Sequence, residues 1–476
     1  MKSEARQPPI PASCGEIQPV GRNEVRILVA ILVGAALVRL PGMFTSLWFD
    51  EAMYSRAYFD DSARRSWLLW KDVHPPVYPL LLWLWSSLFG NHEAVLRLPS
   101  YFSGLGSLVV TWALARRCFG VGTALLATAF LAFSPAHIWH SAESKTNMLA
   151  LFLSVLALWL AVRAADAPRG RWRWPAMFAA LLLALGTHSH ALATAGTIFA
   201  WLGWRSLRER RLRFAAAATG ATILVVWLPL FAWKVHLQGA TLARSYLRAF
   251  DLGEVYKLLL VWFPHGNTIR RLLLSRPLGE VLRQPWPYFL LDGLCALAFL
   301  VGLGAAARGA WPKTDREQGQ PEPWASRLLL LWLLPPLLAA GLASLVIHHF
   351  YIERNFLQLL PAYALLLALG AMRLRWRWVR LAAGATLLGL AFAGTTALLV
   401  FRQNTWSVNV SKPDWHSAAA WLLAEGTTNG KLVVATTSLG LEAEFYLRAP
   451  EHDGRSITVI DYCRYSVSPR FLARQT

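Results

Sequence analysis

The sequence predicts a polytopic α-helical membrane protein of about eleven transmembrane helices with a small external α/β tail. Of its 476 residues 55% are hydrophobic and only 16% charged, with 24 tryptophans. The mean hydropathy is +0.38. Apolar runs of roughly the 20 residues needed to cross a ~30 Å hydrocarbon core recur from Ile27 to Phe401. The net charge of +20 raises nucleic acid as a partner. It is set aside because the basic residues fall in short clusters between apolar spans, as cytoplasmic loops of membrane proteins do.

The elements follow in order. Residues 1–26 read as a cytoplasmic N-terminal segment, 27–401 as the multispanning domain with an outer-face loop at 44–97, and 402–476 as the tail. Ala12-Ser13-Cys14-Gly15 resembles a lipoprotein cleavage site, but no apolar stretch precedes it, so the first span is expected to be an uncleaved anchor. Cys14, Cys118, Cys295 and Cys463 show neither a CxxC pair nor metal-like spacing, which argues against a disulfide framework.

Basic clusters at Arg163–Arg173, Arg205–Arg213, Arg308–Arg327 and Arg373–Arg380 are expected to face the cytoplasm. Ile27–Gly42, Trp174–Thr187 and Phe214–Trp233 then run outward, with Ala191–Trp204 returning. A long external loop is expected from Lys234 to about Pro285. Pro287–Ala307 and Phe356–Ala371 run inward, while Leu328–Ile347 and Leu381–Phe401 run outward and leave the tail outside. Val77–Phe89 is too short to span alone and reads as interfacial or re-entrant. That parity keeps Asp50, His74, Arg97 and Glu143 on the outer face.

The polar island from Leu47-Trp48-Phe49-Asp50-Glu51 to His74-Pro75-Pro76-Val77-Tyr78 carries the chemistry. Carboxylates just past a span meet water and lipid headgroups without being needed to hold the span, although a hydrated loop pair is the simpler reading for Asp50 and Glu51 taken alone. The two prolines after His74 stop the preceding chain and launch a helix, fixing the histidine. Arg39 near the end of the first span either snorkels or meets an anion. Arg97 stands at the mouth of the next apolar block, as an anchor or an anion contact. Glu143 and Lys145 lie two residues apart where one span ends and another starts, which also suits a salt-bridged helix start. His348-His349-Phe350-Tyr351-Ile352-Glu353-Arg354 interrupts two later spans, as a site or as a loop cap. His188 and His190 read more weakly, as a solvated turn.

The succession Trp48-Phe49-Asp50-Glu51, His74-Pro75-Pro76, Phe89-Gly90, Leu96-Arg97-Leu98-Pro99-Ser100, Arg116-Arg117-Cys118-Phe119-Gly120, Ser134-Pro135 and Ser141-Ala142-Glu143 resembles the dolichyl-phosphate-mannose-protein mannosyltransferase-like family. That family includes bacterial glycosyltransferase family 39 members and the lipid A aminoarabinose transferases. The resemblance implies a transferase in the plasma membrane that moves a sugar from a polyprenyl-phosphate carrier to a protein, lipid or glycan acceptor at the outer face, usually with inversion. It implies Asp50 as general base beside Glu51, with Lys145, Arg97, Arg39 and Arg354 as cations for the leaving phosphate and His74 as a phosphate or metal contact. Glu143 is a second acidic site, and His74 with Glu143 leaves a divalent metal ion open. One departure stands out. Glu143-Ser144-Lys145-Thr146-Asn147 occupies the place of a common Glu-Ala-Arg-Met-Tyr, and a lysine is a point charge without arginine's bidentate fork.

In the tail, Trp415–Ala424 reads as an amphipathic helix, Lys431–Thr436 and Ile457–Ile460 as strands, and Glu442–Leu447 as a second short helix. Two rivals remain. One is a transferase or ligase using a diphosphate-linked glycan. The other is a transporter, which should show internal repeats and mid-membrane ionisable groups.

Overall fold

The computed structural model describes residues 19–55, 62–66, 69, 72, 74–166, 172–233, 236, 252–266, 286–311, 323–347, 353–401, 414–425, 432–436, 445 and 457–461. Among them, eight helices are long and apolar enough to cross a membrane, and a bent pair makes a ninth. His348, His349, Phe350, Tyr351 and Ile352 of the expected polar cluster lie outside the described residues. So does the expected helix at Glu442–Leu447, apart from Phe445.

Helix α1 (Arg22–Met43) leads into a four-residue turn of helix, α2 (Phe49–Ala52), and then α3 (Val77–Phe89) and α4 (Glu93–Phe119). Gly90 and Gly120 sit at φ 92° and 87°, left-handed conformations that glycine adopts without a Cβ penalty, and they end α3 and α4. At 13 residues, α3 is about 20 Å long, short of the bilayer core, and it packs along α4. After Gly120 come α5 (Val121–Ala132) and α6 (Pro135–Ser141), bent by 62°. The bend has a local cause: Ser134 precedes a proline and takes ψ 125°, outside the helical region. Helices α7 (Thr146–Asp166), α8 (Arg173–Thr187), α9 (Leu192–Ser206) and α10 (Arg213–Thr222, continued by a π-turn at Ile223–Trp227) follow.

The second half holds α11 (Trp286–Ala310), α12 (Pro323–Ile347), a 3₁₀ segment Glu353–Leu359 running into α13 (Leu360–Met372), α14 (Arg377–Phe401) and the tail helix α15 (Trp415–Glu425). Strands β1 (Leu432–Thr436) and β2 (Ile457–Asp461) pair in parallel, Leu432 opposite Ile457. The core centres on α7 and α13, whose spans are the most buried, whereas α1 leaves Val29, Val33 and Leu37 exposed, as a lipid-facing helix does. Helices α11 and α13 meet almost backbone to backbone. A Cβ on Gly370 would stand 2.7 Å from the Gly302 nitrogen, the small-residue contact that lets membrane helices approach closely.

One expectation is corrected. The stretch between Lys234 and Pro285 is not simply an external loop: Leu252–Tyr256, the π-turn Lys257–Trp262 and Phe263–His265 are helical, and Leu258, Val261, Trp262 and Phe263 are buried. Tyr363 of α13 donates to the Leu259 carbonyl at 2.7 Å. A run as apolar as Leu258-Leu259-Leu260-Val261-Trp262-Phe263 gains too much from burial to stay in water.

Ion pairs sort by the ends of the bundle. Arg116 at the end of α4 holds Glu24 at the start of α1 at 2.7 Å, and Arg117 holds Asp166 at the end of α7 at 2.8 Å. The opposite ends of these same helices carry Met43, Arg97 and Lys145. The candidate residues therefore share one end of the bundle.

Candidate active site

Asp50 sits in α2, a single turn held from both sides. Glu51 reaches back to the backbone N–H of Trp48 at 3.3 Å, the reciprocal half of a capping arrangement. The same carboxylate receives Arg97 through both oxygens, Nε to Oε1 at 2.8 Å and Nη2 to Oε2 at 2.8 Å, and also the Ser144 N–H at 2.9 Å. Arg97 in turn donates to the carbonyls of Gly42 (3.1 Å), Met43 (3.1 Å), Thr45 (2.5 Å) and Ser46 (3.0 Å). It thus satisfies acceptors that the end of α1 leaves orphaned.

This geometry corrects two expectations. With both side chains fully buried and its oxygens committed to four donors, Glu51 fixes the loop and is not placed to take a proton from a substrate. Arg97 is likewise spent on Glu51 and the α1 terminus. It is not presented to a phosphate. Arg39 is also turned inward: it donates to the carbonyls of Ala35 (2.7 Å) and Ala132 (3.0 Å) and meets His137 Nδ1 at 2.8 Å. Its guanidinium neither snorkels nor faces an anion, because the bend between α5 and α6 brings polar partners to it inside the bundle.

Asp50 differs from its neighbour. It stays 20% exposed, and its Oδ2 receives Lys145 Nζ from the turn before α7 and Arg354 Nη1, at 3.4 Å, from the segment before α13. Lys145 is almost fully buried and lies 5.0 Å from the Trp48 ring centroid, a cation–π contact. Burial lowers its pKa below the usual lysine range; Asp50 opposes that shift and Arg354 adds to it.

Glu143 accepts from Trp139 Nε1 at 2.8 Å and lies 2.8 Å from His140 Nδ1, so it braces the turn that delivers Lys145. His74 follows Asp72, which accepts the His74 N–H at 3.4 Å and the Tyr54 hydroxyl at 2.9 Å. Burial, then the Asp72 charge, push the Tyr54 hydroxyl well above the usual tyrosine value and keep it a donor. The His74 ring lies 4.7 Å from that of His188.

His188 is a residue that sequence reasoning discounted. It is buried at the end of α8, although two histidines at the spacing of His188 and His190 usually solvate a turn. Trp48, two residues before Asp50, carries no sequence signal of its own for the cation–π contact with Lys145.

A resident divalent metal does not fit well here. Among the described residues no three His, Cys, Asp or Glu side chains gather with metal-ligand spacing. Asp50 is neutralised by two cations, and the contacts described for His74 and Glu143 lead to different partners.

Residues 73–233 match the family described as dolichyl-phosphate-mannose-protein mannosyltransferase. ArnT from Cupriavidus metallidurans in the apo state has a similar fold, with TM-score 0.57 and 17% identity over 92% of this chain and 85% of that one. ArnT bound to undecaprenyl phosphate matches with TM-score 0.54 and 17% identity over 93% and 86%. The Archaeoglobus fulgidus oligosaccharyltransferase in the apo form matches with TM-score 0.55 and 14% identity, over 89% of this chain but 63% of that one. No curated protein sequence matches the chain significantly.

Proposed function

We propose that the chain is an integral membrane glycosyltransferase that moves a single sugar from a polyprenyl-phosphate carrier to an acceptor hydroxyl, with Asp50 as general base, a reading that the family match over residues 73–233 supports. The observation that carries this reading is the Asp50 carboxylate, partly exposed and held by Lys145 and Arg354.

Two cations on one carboxylate make a poor base but a ready anion site. A donor phosphate entering there competes with Asp50 for Lys145 and Arg354. As the cations turn to the phosphate, the freed carboxylate becomes basic enough to accept the acceptor's proton. The acceptor oxygen then bonds to the anomeric carbon while the bond from that carbon to the phosphate oxygen breaks. The electron pair leaves with the polyprenyl phosphate, whose growing charge the two cations stabilise in a partly dry site. Attack from the Asp50 side, opposite the phosphate, gives inversion. His74, rigidly placed before Pro75, is assigned to the same anion site.

In this reading the site end faces the outside of the plasma membrane, because the opposite end collects the basic clusters. The tail elements α15, β1 and β2 are then external as well. Supporting a lipid carrier, one similar fold was solved with undecaprenyl phosphate bound. The second reading is a diphosphate-linked glycan donor held by the same pair of cations, Lys145 and Arg354.

The test uses purified wild type and Asp50→Asn in nanodiscs with a panel of polyprenyl-phosphate sugars, scoring released polyprenyl phosphate. Release by wild type and none by the variant supports the proposal. Full activity in a folded Asp50→Asn removes Asp50 from the base role, and release only from diphosphate-linked donors transfers the assignment to the second reading.

A further inference from the structure

The end of α8 places the buried imidazole of His188 against the His74 ring, beside the segment that carries Arg354. His188 Nδ1 lies 3.1 Å from the His190 backbone N–H, which donates to it, and 3.2 Å from His190 Nδ1. An Nδ1 that accepts leaves the ring proton on Nε2, so this is the neutral Nε2–H tautomer. Among the described residues Nε2 has no hydrogen-bond partner, since the contacts of His188 are those two and the ring contacts with His74 and His190. The turn Ser189–Ala191 packs against the Glu353–Leu359 segment that carries Arg354 and against α7, which follows Lys145. Burial, then His74, His190, Arg354 and Lys145, hold the His188 pKa well below the usual histidine value, so the ring stays uncharged near neutral pH.

We propose that His188 donates its Nε2–H to the phosphate of the polyprenyl-phosphate sugar, as a neutral donor beside Lys145 and Arg354. This rests on the lipid-phosphate reading of the site given above. A third cation here would repel the other two and bind Asp50 more tightly. A neutral N–H serves the leaving oxygen without doing either, and a positioned donor to a developing oxyanion typically contributes ~10²–10³ in rate.

Two substitutions separate a donor from a structural prop. His188→Gln can put an N–H near the Nε2 position but lacks the Nδ1 acceptor. His188→Asn keeps an acceptor near Nδ1 and cannot reach the Nε2 position. The probe is sugar-free undecaprenyl phosphate, with its affinity for the full-length protein in detergent measured by native mass spectrometry, alongside kcat/KM and the thermal midpoint. The expected result is binding within about threefold of wild type for His188→Gln and at least about tenfold weaker for His188→Asn, with both variants folded. The reverse order, or equal binding by all three proteins, overturns the assignment. Wild type that fails to bind undecaprenyl phosphate overturns the lipid-monophosphate reading itself, and this inference with it.

Discussion

Glu51 and Arg97 face each other as a fully buried bidentate pair, both contacts at 2.8 Å, one residue away from the partly exposed Asp50. Removing one member leaves the other charge stranded, which typically costs about 3–5 kcal/mol, whereas removing both is far milder. Arg97→Met should therefore lower the thermal midpoint strongly in detergent, and the double variant Arg97→Met, Glu51→Gln should recover part of it. A double variant no more stable than the single would show that the carbonyls of Gly42, Met43, Thr45 and Ser46 matter more than the pair.

Lys145 has its pKa lowered by burial, so its ammonium is lost at a pH below the ~10.4 of a free lysine. Donor binding, and with it kcat/KM, should fall on the alkaline side as pH rises through that depressed value. An arginine stays charged throughout, so Lys145→Arg should push the alkaline limb upward even if its rate at neutral pH is lower. The pH–rate profiles of the two proteins decide it, and superimposable limbs would remove Lys145 from the titration.

Gly302 and Gly370 let α11 and α13 touch. A Cβ on Gly302 would stand 2.5 Å from the Leu366 carbonyl oxygen, a backbone atom that cannot swing aside. Gly302→Val should destabilise by about 1–3 kcal/mol through forced backbone separation. The same change at Gly293, where nothing lies within 4 Å, should be near neutral in a thermal melt.

Asp414 caps α15: its carboxylate accepts the Ser417 N–H at 3.1 Å and the Ser417 hydroxyl at 2.8 Å, and it receives Ser46 Oγ at 3.3 Å. Asp414→Ala should cost about 1 kcal/mol as a lost cap. It should also raise hydrogen exchange in α15, while Asp414→Asn should retain most of the protection. Unchanged exchange in α15 with alanine would mean that the cap does not hold that helix.

Much of the architecture was legible because a membrane-spanning helix is a local object. It must satisfy its own backbone hydrogen bonds in lipid, so length and hydropathy announce it from α1 to α14. The short α3 was legible for the same kind of reason, from its length. Leu258–Phe263 was misread because a short apolar run flanked by charge fits a loop, an interfacial segment or an inserted helix equally well.

At the site, residue types and their order along the chain mark which residues are eligible: an acidic pair beyond α1, a histidine fixed by Pro75 and Pro76, a lysine at the start of α7 and an arginine before α13. Asp50 and Glu51 are adjacent and chemically alike, and only the family resemblance implied Asp50 as the base. Packing gives the two carboxylates different surroundings, by bringing Arg97 from 46 residues away onto Glu51 and Lys145 and Arg354 from 95 and 304 residues away onto Asp50. The same packing enclosed Arg39 beside His137 and set the His188 ring against His74. Charge and hydropathy are properties of a residue and its neighbours in the chain. Which buried charge meets which partner depends on contacts between distant segments, and these form only when the helices pack.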